Sequence, residues 1–251
     1  MQLTEIALLV AAGAGAGVLN AVAGGGTFLT FPALIWLGLP PVAANATATL
    51  SALPGYAGSA WGFRRDLKAE GALSLRATAL IAALGGLAGA GLLIVTPGEV
   101  FIGVVPWLLL AATSLFAAGP ALLRRARRYG SAAAGPVTSA AAIFAVSVYG
   151  GYFNGGLGIV LLAAFGLLGY VSLHGMNGLK TLLSAVLSLI PAATFAVAGL
   201  IAWEQAMVLA LATGAGGFGG AWISRRIQRT QLLRGFVTLT GAALTLAFFM
   251  N

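Results

Sequence analysis

Apolar stretches of close to twenty residues, almost free of charge, follow one another along this chain. They run about 3–22, 27–39, 44–62, 73–95, 100–119, 136–153, 157–171, 177–200, 206–223 and 233–250. A helix that crosses the hydrocarbon core of a bilayer needs roughly 20 apolar residues, and most of these stretches reach that length. Charged residues make up 7% of the 251 residues, where a soluble domain carries roughly a quarter. A chain this poor in charge could not cover its core in water, so lipid is its solvent. The expected fold is an all-α polytopic membrane protein. Its first stretch reads as a retained span, since it lacks the basic start and cleavage site of a leader.

The net charge of +8 does not point to nucleic acid, because of where the bases sit. Twelve of 13 Lys and Arg fall in three loop clusters: Arg64, Arg65, Lys68 and Arg76; Arg124, Arg125, Arg127 and Arg128; Arg225, Arg226, Arg229 and Arg234. Basic clusters between apolar stretches mark the cytoplasmic side and touch lipid headgroups. Trp36, Trp61, Trp107, Trp203 and Trp222 fall near stretch ends, as interface anchors do. The chain has no cysteine, which excludes disulfides and thiolate metal sites.

Two stretches, 27–39 and 157–171, are too short to cross upright. Each follows a glycine-rich break, Gly24-Gly25-Gly26 and Gly155-Gly156-Leu157-Gly158. Short, glycine-interrupted segments at matching places in two halves point to a transporter site. The halves do match. Gly17-Val18-Leu19-Asn20 precedes the first break and Gly151-Tyr152-Phe153-Asn154 the second. The next stretches share an Asn (Asn45, Asn177), a Thr four residues on (Thr49, Thr181) and a Pro (Pro54, Pro191). Gly85-Gly86-Leu87-Ala88-Gly89-Ala90 resembles Gly216-Gly217-Phe218-Gly219-Gly220-Ala221, a small-residue pattern that lets helices approach closely. The expectation is a first repeat over 1–119, a basic cytoplasmic linker over 120–135 and a second repeat over 136–251. In the first half the basic loop follows the third stretch, and the loop after the fourth holds Glu99. In the second half the loop after the third stretch holds Glu204, and the basic loop follows the fourth. That swap predicts inverted repeats with both termini outward: eight full spans plus two short broken or re-entrant segments.

These residues resemble the TauE/SafE family, the sulfite and organosulfonate exporter family. The resemblance covers nearly the whole chain. In the first half it rests on Asn20-Ala21-Val22-Ala23-Gly24-Gly25-Gly26, Phe31-Pro32-Ala33-Leu34, Ala44-Asn45-Ala46-Thr47 and Leu53-Pro54-Gly55. In the second it rests on Tyr149-Gly150-Gly151-Tyr152-Phe153, Gly158-Ile159, Asn177-Gly178-Leu179-Lys180 and Gly219-Gly220. Two departures stand out: Asn154 where the family usually has Gly, and Asn45-Ala46-Thr47-Ala48-Thr49 where the family often reads Asn-x-Thr-Asn-Thr. The resemblance implies a secondary transporter or exporter of small anions (sulfite, organosulfonate or a related organic anion) in a bacterial inner membrane. It implies exchange or coupling to an ion, proton or sodium, and a possible homodimer.

An anion that leaves water needs protein donors in exchange. Free backbone N–H groups at helix N-termini supply them, with the helix dipole in support. The breaks at Gly24, Gly25, Gly26 and Thr27, and at Gly158, are expected to start two half-helices. Their glycines either line a solute site or only permit tight packing. Asn20, Asn45, Asn154 and Asn177 carry amide donors that suit an oxyanion or, equally, a neighbouring helix. Thr49 and Thr181 bond either solute or their own helix backbone. Lys180 is the one base outside the three clusters. A cation within a span is a functional candidate by default, unless it snorkels to headgroups. His174, in the preceding turn, is a candidate proton coupler or a solvated loop residue.

No acidic residue lies mid-stretch, so neither a carboxylate proton relay nor a metal site is expected. Nor is a cofactor. Without a buried His/Asp/Glu constellation or Cys, the chain reads as a transporter and not an enzyme. A passive anion channel of the same fold is the alternative. A channel conducts without the saturable exchange that marks a transporter.

Overall fold

The computed structural model describes residues 1–22, 24–63, 71–128, 134–170, 172–224 and 230–250. Among these the chain is helical, with ten helices and no strand. They are α1 (Leu3–Val22), α2 (Thr27–Trp36), α3 (Pro41–Phe63), α4 (Leu75–Val95), α5 (Gly98–Arg128), α6 (Pro136–Tyr152), α7 (Leu157–Leu167), α8 (Leu173–Val197), α9 (Trp203–Ser224) and α10 (Thr230–Met250). Local chemistry sets several ends. The Ser74 and Ser172 hydroxyls accept from Ala77 N–H (3.2 Å) and Gly175 N–H (3.0 Å) and so cap α4 and α8. The two short helices stop alike: Leu39 N–H donates to Leu34 O (3.1 Å) and Tyr170 N–H to Phe165 O (3.0 Å).

Among the described residues, four segments are long and apolar enough to cross a membrane: Leu3–Ala21, Leu75–Val95, Gly98–Leu115 and Gly175–Val197. Helix α3 has the length, but it buries Asn45, Thr47, Thr49, Ser51 and Ser59. Its polar groups face protein, not lipid, which lowers its apolarity. Trp36, Trp107 and Trp203 are exposed, as belt residues should be. The side chains of Trp61 and Trp222 lie outside those described.

The main packing partners come in matched pairs. Helix α1 lies on α9 as α6 lies on α4, and α3 lies on α9 as α8 lies on α4. Likewise α5 meets α7 as α10 meets α2. At the centre α3 and α8 pack on each other. The α1–α9 and α4–α6 pairs are parallel and close. A Cβ on Gly220 would fall 2.8 Å from Val18 Cα, and one on Gly85 2.8 Å from Phe144 O. The small-residue runs singled out in the sequence thus pack backbone against backbone.

Helices α2 and α7 run back along α1 and α6. The start of α2 lies on α1 (a Cβ on Gly26 would lie 2.6 Å from Asn20 Nδ2), and its Leu34 joins Leu9 near the start of α1 in one cluster. The end of α7 returns to the start of α6, where Ala134 N–H donates to Leu168 O (3.3 Å). Two apolar clusters mark opposite ends of the molecule. One gathers Leu9, Leu34, Leu93, Phe101, Phe195 and Ala206. The other gathers Ile143, Leu168, Tyr170, Met176 and Leu179, with Leu75 packed against it. The α1–α2 hairpin is therefore rooted at one end and the α6–α7 hairpin at the other.

Helix α5 runs to Arg128, so Arg124, Arg125, Arg127 and Arg128, expected in a loop cluster, lie on a helix. Leu122 to Arg128 is rich in good helix formers, and bases suit a helix C-terminus. Pro54 and Pro191 both lie inside helices, as expected, with unequal spacing from the matched threonines. Pro54 is five residues after Thr49, whereas Pro191 is ten after Thr181. Arg64, Arg65, Lys68, Arg225, Arg226 and Arg229 lie outside the described residues. Arg76 is exposed at the start of α4.

Candidate functional site

In the first break, the chain leaves α1 at Val22 and enters α2 at Thr27. It turns at Gly24, whose φ of 85° favours glycine. Asn20 then caps α2 from a distance. Its Oδ1 accepts from Gly26 N–H (2.8 Å) and from the Tyr56 hydroxyl (3.1 Å). A backbone N–H can only donate, so the amide orientation is fixed and Nδ2 points away from both partners. That Nδ2 has no partner, and neither do the buried hydroxyls of Thr27 and Thr30.

The second break is built differently. The chain leaves α6 at Tyr152 and enters α7 at Leu157, turning at Gly156 with φ 70°. The Tyr149 hydroxyl donates to Gly155 O. From α3, Asn45 Nδ2 donates to Tyr152 O (3.0 Å), at the end of α6. Asn154 Nδ2 reaches Ser188 Oγ (3.3 Å) on α8. Among the described residues, Gly156 and Gly158 N–H donate to no group of the chain. The start of α7 therefore keeps orphan donors that α2 partly satisfies through Asn20.

Beside those donors lies Lys180. It is 1% exposed, and its Nζ has no partner. Its Cδ lies 3.3 Å from where a Cβ on Gly158 would be. Ser184, one turn further along α8, is fully buried with a hydroxyl that also lacks a partner. Ser188 follows after another turn, so Lys180, Ser184 and Ser188 form one stripe of α8. The described carboxylates Glu5, Glu99 and Glu204 all sit in first turns of α1, α5 and α9. None pairs with Lys180. A buried ammonium without an acceptor is costly, and a bound anion removes that cost. Lys180 does not snorkel.

The two breaks touch at their tips. A Cβ on Gly24 would fall 2.7 Å from Gly158 Cα, and one on Gly158 2.7 Å from Gly24 Cα. Phe28, from the first turn of α2, lies 3.0 Å from where a Cβ on Gly156 would be. The glycines thus have a packing reason beside any role toward solute. The sequence candidates Asn20, Gly24, Gly26, Asn154, Gly158 and Lys180 gather around this contact. Gly25 and Thr27 are buried at the first break, and Asn45 binds the end of α6. Thr49 and Thr181 are bound to their own helices, donating to Asn45 O and Asn177 O (both 2.8 Å). Asn177 is half-buried. The His174 side chain lies outside those described.

A family model described as sulfite exporter TauE/SafE matches residues 9–248. The chain belongs to this family. It is also similar to a protein of Sinorhizobium sp. described as "Probable membrane transporter protein ORF9". The two are 30% identical over 178 residues, which is 70% of this chain and 64% of that protein's length. No solved structure matches. Family and apolar helices together make this a multi-pass membrane protein of a transporter family.

Within this TauE/SafE chain, sequence reasoning missed Tyr56, Thr30, Ser184 and Ser188. The signal for Ser184 and Ser188 was present, since both follow Lys180 at four-residue steps. Tyr56 carried no such signal, because its role depends on where α1 ends. One groove of about 440 Å³ lies elsewhere, lined by Ile94, Ala193, Thr194, Val197 and Ala198. Its polar side chain, Thr194, already donates to Ile190 O (2.9 Å), so the groove offers an anion nothing.

Proposed function

We propose that this TauE/SafE protein carries small anions, such as sulfite, organosulfonates or related organic anions, across the bacterial inner membrane by alternating access. The anion is held between two inverted repeats, α1–α5 and α6–α10, where the two breaks meet. The single observation that carries this reading is Lys180, whose buried amine nitrogen has no partner and lies beside free N–H groups at the start of α7; a bound anion favours its charged form. Helix dipole and ammonium both favour a negative charge there. The matched packing pairs and the hairpins rooted at opposite ends support the inverted repeats. The close backbone contact between Gly24 and Gly158 is what favours a carrier over an open channel in this reading. Exchange, or coupling to a proton or sodium gradient, supplies the driving force.

Two measurements test the reading. Anions that bind the folded protein raise its melting temperature with concentration. Sulfite and small sulfonates are expected to do so in detergent. Lys180→Met keeps the volume and removes the charge, a change that folds well at buried ion sites. In proteoliposomes it is expected to cut anion uptake by about tenfold or more, the scale of a lost charge-assisted hydrogen bond. Unchanged uptake in Lys180→Met, or no response to any anion, overturns the proposal.

A further inference from the structure

We infer that the site accepts one negative charge (for sulfite, the hydrogen sulfite form), held on the α7–α8 side by Lys180 and Ser184, and that it rejects dianions. The inference rests on the anion site proposed above and adds a charge rule to it. Asn45 and Thr49 on α3 share their spacing with Asn177 and Thr181 on α8. The same register sets Ala48, Ala52 and Tyr56 of α3 against Lys180, Ser184 and Ser188 of α8. The last pair behaves alike in space. The Tyr56 hydroxyl bonds Asn20 of the first break, as Ser188 bonds Asn154 of the second. The other two pairs differ. Ala48 and Ala52 are buried and bring no donor, while Lys180 and Ser184 bring an ammonium and a hydroxyl with no partners.

The breaks themselves do not separate the halves: among the described residues Gly25 and Thr27 N–H are free at the first, as Gly156 and Gly158 N–H are at the second. What sets the second half apart is the unpartnered Lys180 amine beside its break. Among the described side chains the other base is Arg76, exposed at the start of α4. A single ammonium balances a single charge. A second negative charge would be buried without a partner, which is the costly case. The ammonium, the Ser184 hydroxyl and the two N–H groups suit the oxygens of one oxyanion group.

The test uses the purified full chain and three probes at neutral pH and equal ionic strength: methanesulfonate, ethane-1,2-disulfonate and sulfate. Apparent affinities are read from thermal shifts and from competition in proteoliposome uptake. Methanesulfonate is expected to bind about 100-fold more tightly than either dianion, the size of effect an unpaired buried charge produces. Ser184→Ala is expected to weaken methanesulfonate by about tenfold while keeping the preference for one charge. Ser184→Thr restores the hydroxyl and the affinity, which a mere packing role for Ser184 would not require. Dianions that bind as tightly as methanesulfonate overturn the charge rule but leave an anion site standing. An unchanged affinity in Ser184→Ala overturns the role of Ser184. A protein that responds to neither charge class overturns the anion site itself.

Discussion

The two breaks occupy like places, yet they divide their helices differently. Gly24 and Gly158 touch, so they mark the common point. Helix α1 runs to Val22, just short of Gly24, whereas α6 stops at Tyr152, six residues before Gly158. On the far side, α2 waits until Thr27, whereas α7 has begun at Leu157. About one turn of helix has moved across the break. Asn20 is helical in one half, while Asn154 lies in the open chain of the other. Glycine placement accounts for this. Leu19 to Val22 suits a helix and Gly24-Gly25-Gly26 ends it, while Gly155-Gly156 ends α6 early and Leu157 to Leu162 carries α7 on. The shift leaves Asn20 free to cap α2, while α7 keeps its donors.

The tip contact gives the largest expected effect. Gly24→Ala and Gly158→Ala each put a Cβ 2.7 Å from the facing Cα. Overpacking of this kind costs about 1–3 kcal/mol. Gly24 also holds φ 85°, where an L side chain adds strain of about 1 kcal/mol or more. Both variants are expected to lose anion uptake, and Gly24→Ala to lose more thermal stability than Gly158→Ala. Equal melting temperatures for Gly24→Ala and the parent chain would mean that the tips separate freely.

A second pair of variants divides structure from solute. Asn20→Ala strands Gly26 N–H and the Tyr56 hydroxyl, two buried donors at about 1–3 kcal/mol each. Asn154→Ala removes one long bond to Ser188, worth about 1 kcal/mol or less. Asn20→Ala is therefore expected to lower the melting temperature more, and Asn154→Ala to change anion affinity more. The reverse order in either assay would place the solute on the α1–α2 side.

Much of this was legible in the sequence. Apolar length and low charge gave the all-helical membrane fold, and the repeated Asn, Thr and Gly marked the two breaks. The direction of the short helices was not legible, because so short an apolar stretch can continue or return with equal local propensity. The return of α2 shows in Leu34 meeting Leu9 of α1, and that of α7 in Leu168 O meeting Ala134 N–H. For Thr49 and Thr181 the sequence left solute and own-helix bonding both open, and the helix won, since a threonine in a helix satisfies its hydroxyl most cheaply one turn back. Lys180 was visible as a lone base. Its isolation from every described carboxylate depends on three-dimensional placement.

The roots of the two hairpins offer the smallest effect. At the start of α1, the N-terminal ammonium of Met1 pairs with Glu204 at the start of α9 (2.9 Å). At the root of the other hairpin, a backbone bond joins Ala134 and Leu168. The Glu204 carboxylate, by hydrogen bond and charge, raises the pKa of the ammonium above its ordinary value. A raised pKa means that any stabilisation is present below the ordinary titration range of the amine and fades as pH rises through the raised one. Glu204 is 66% exposed, so solvent screens the pair and leaves it little weight. Glu204→Gln is expected to leave both melting temperature and anion uptake unchanged, and to flatten any small stability loss on the alkaline side. A drop of several degrees in that variant would mean that the α1–α2 hairpin is held at its root by charge. The apolar and backbone contacts of α1 with α2 and α9 would then be secondary, and the two hairpins would differ in anchoring as well as in capping.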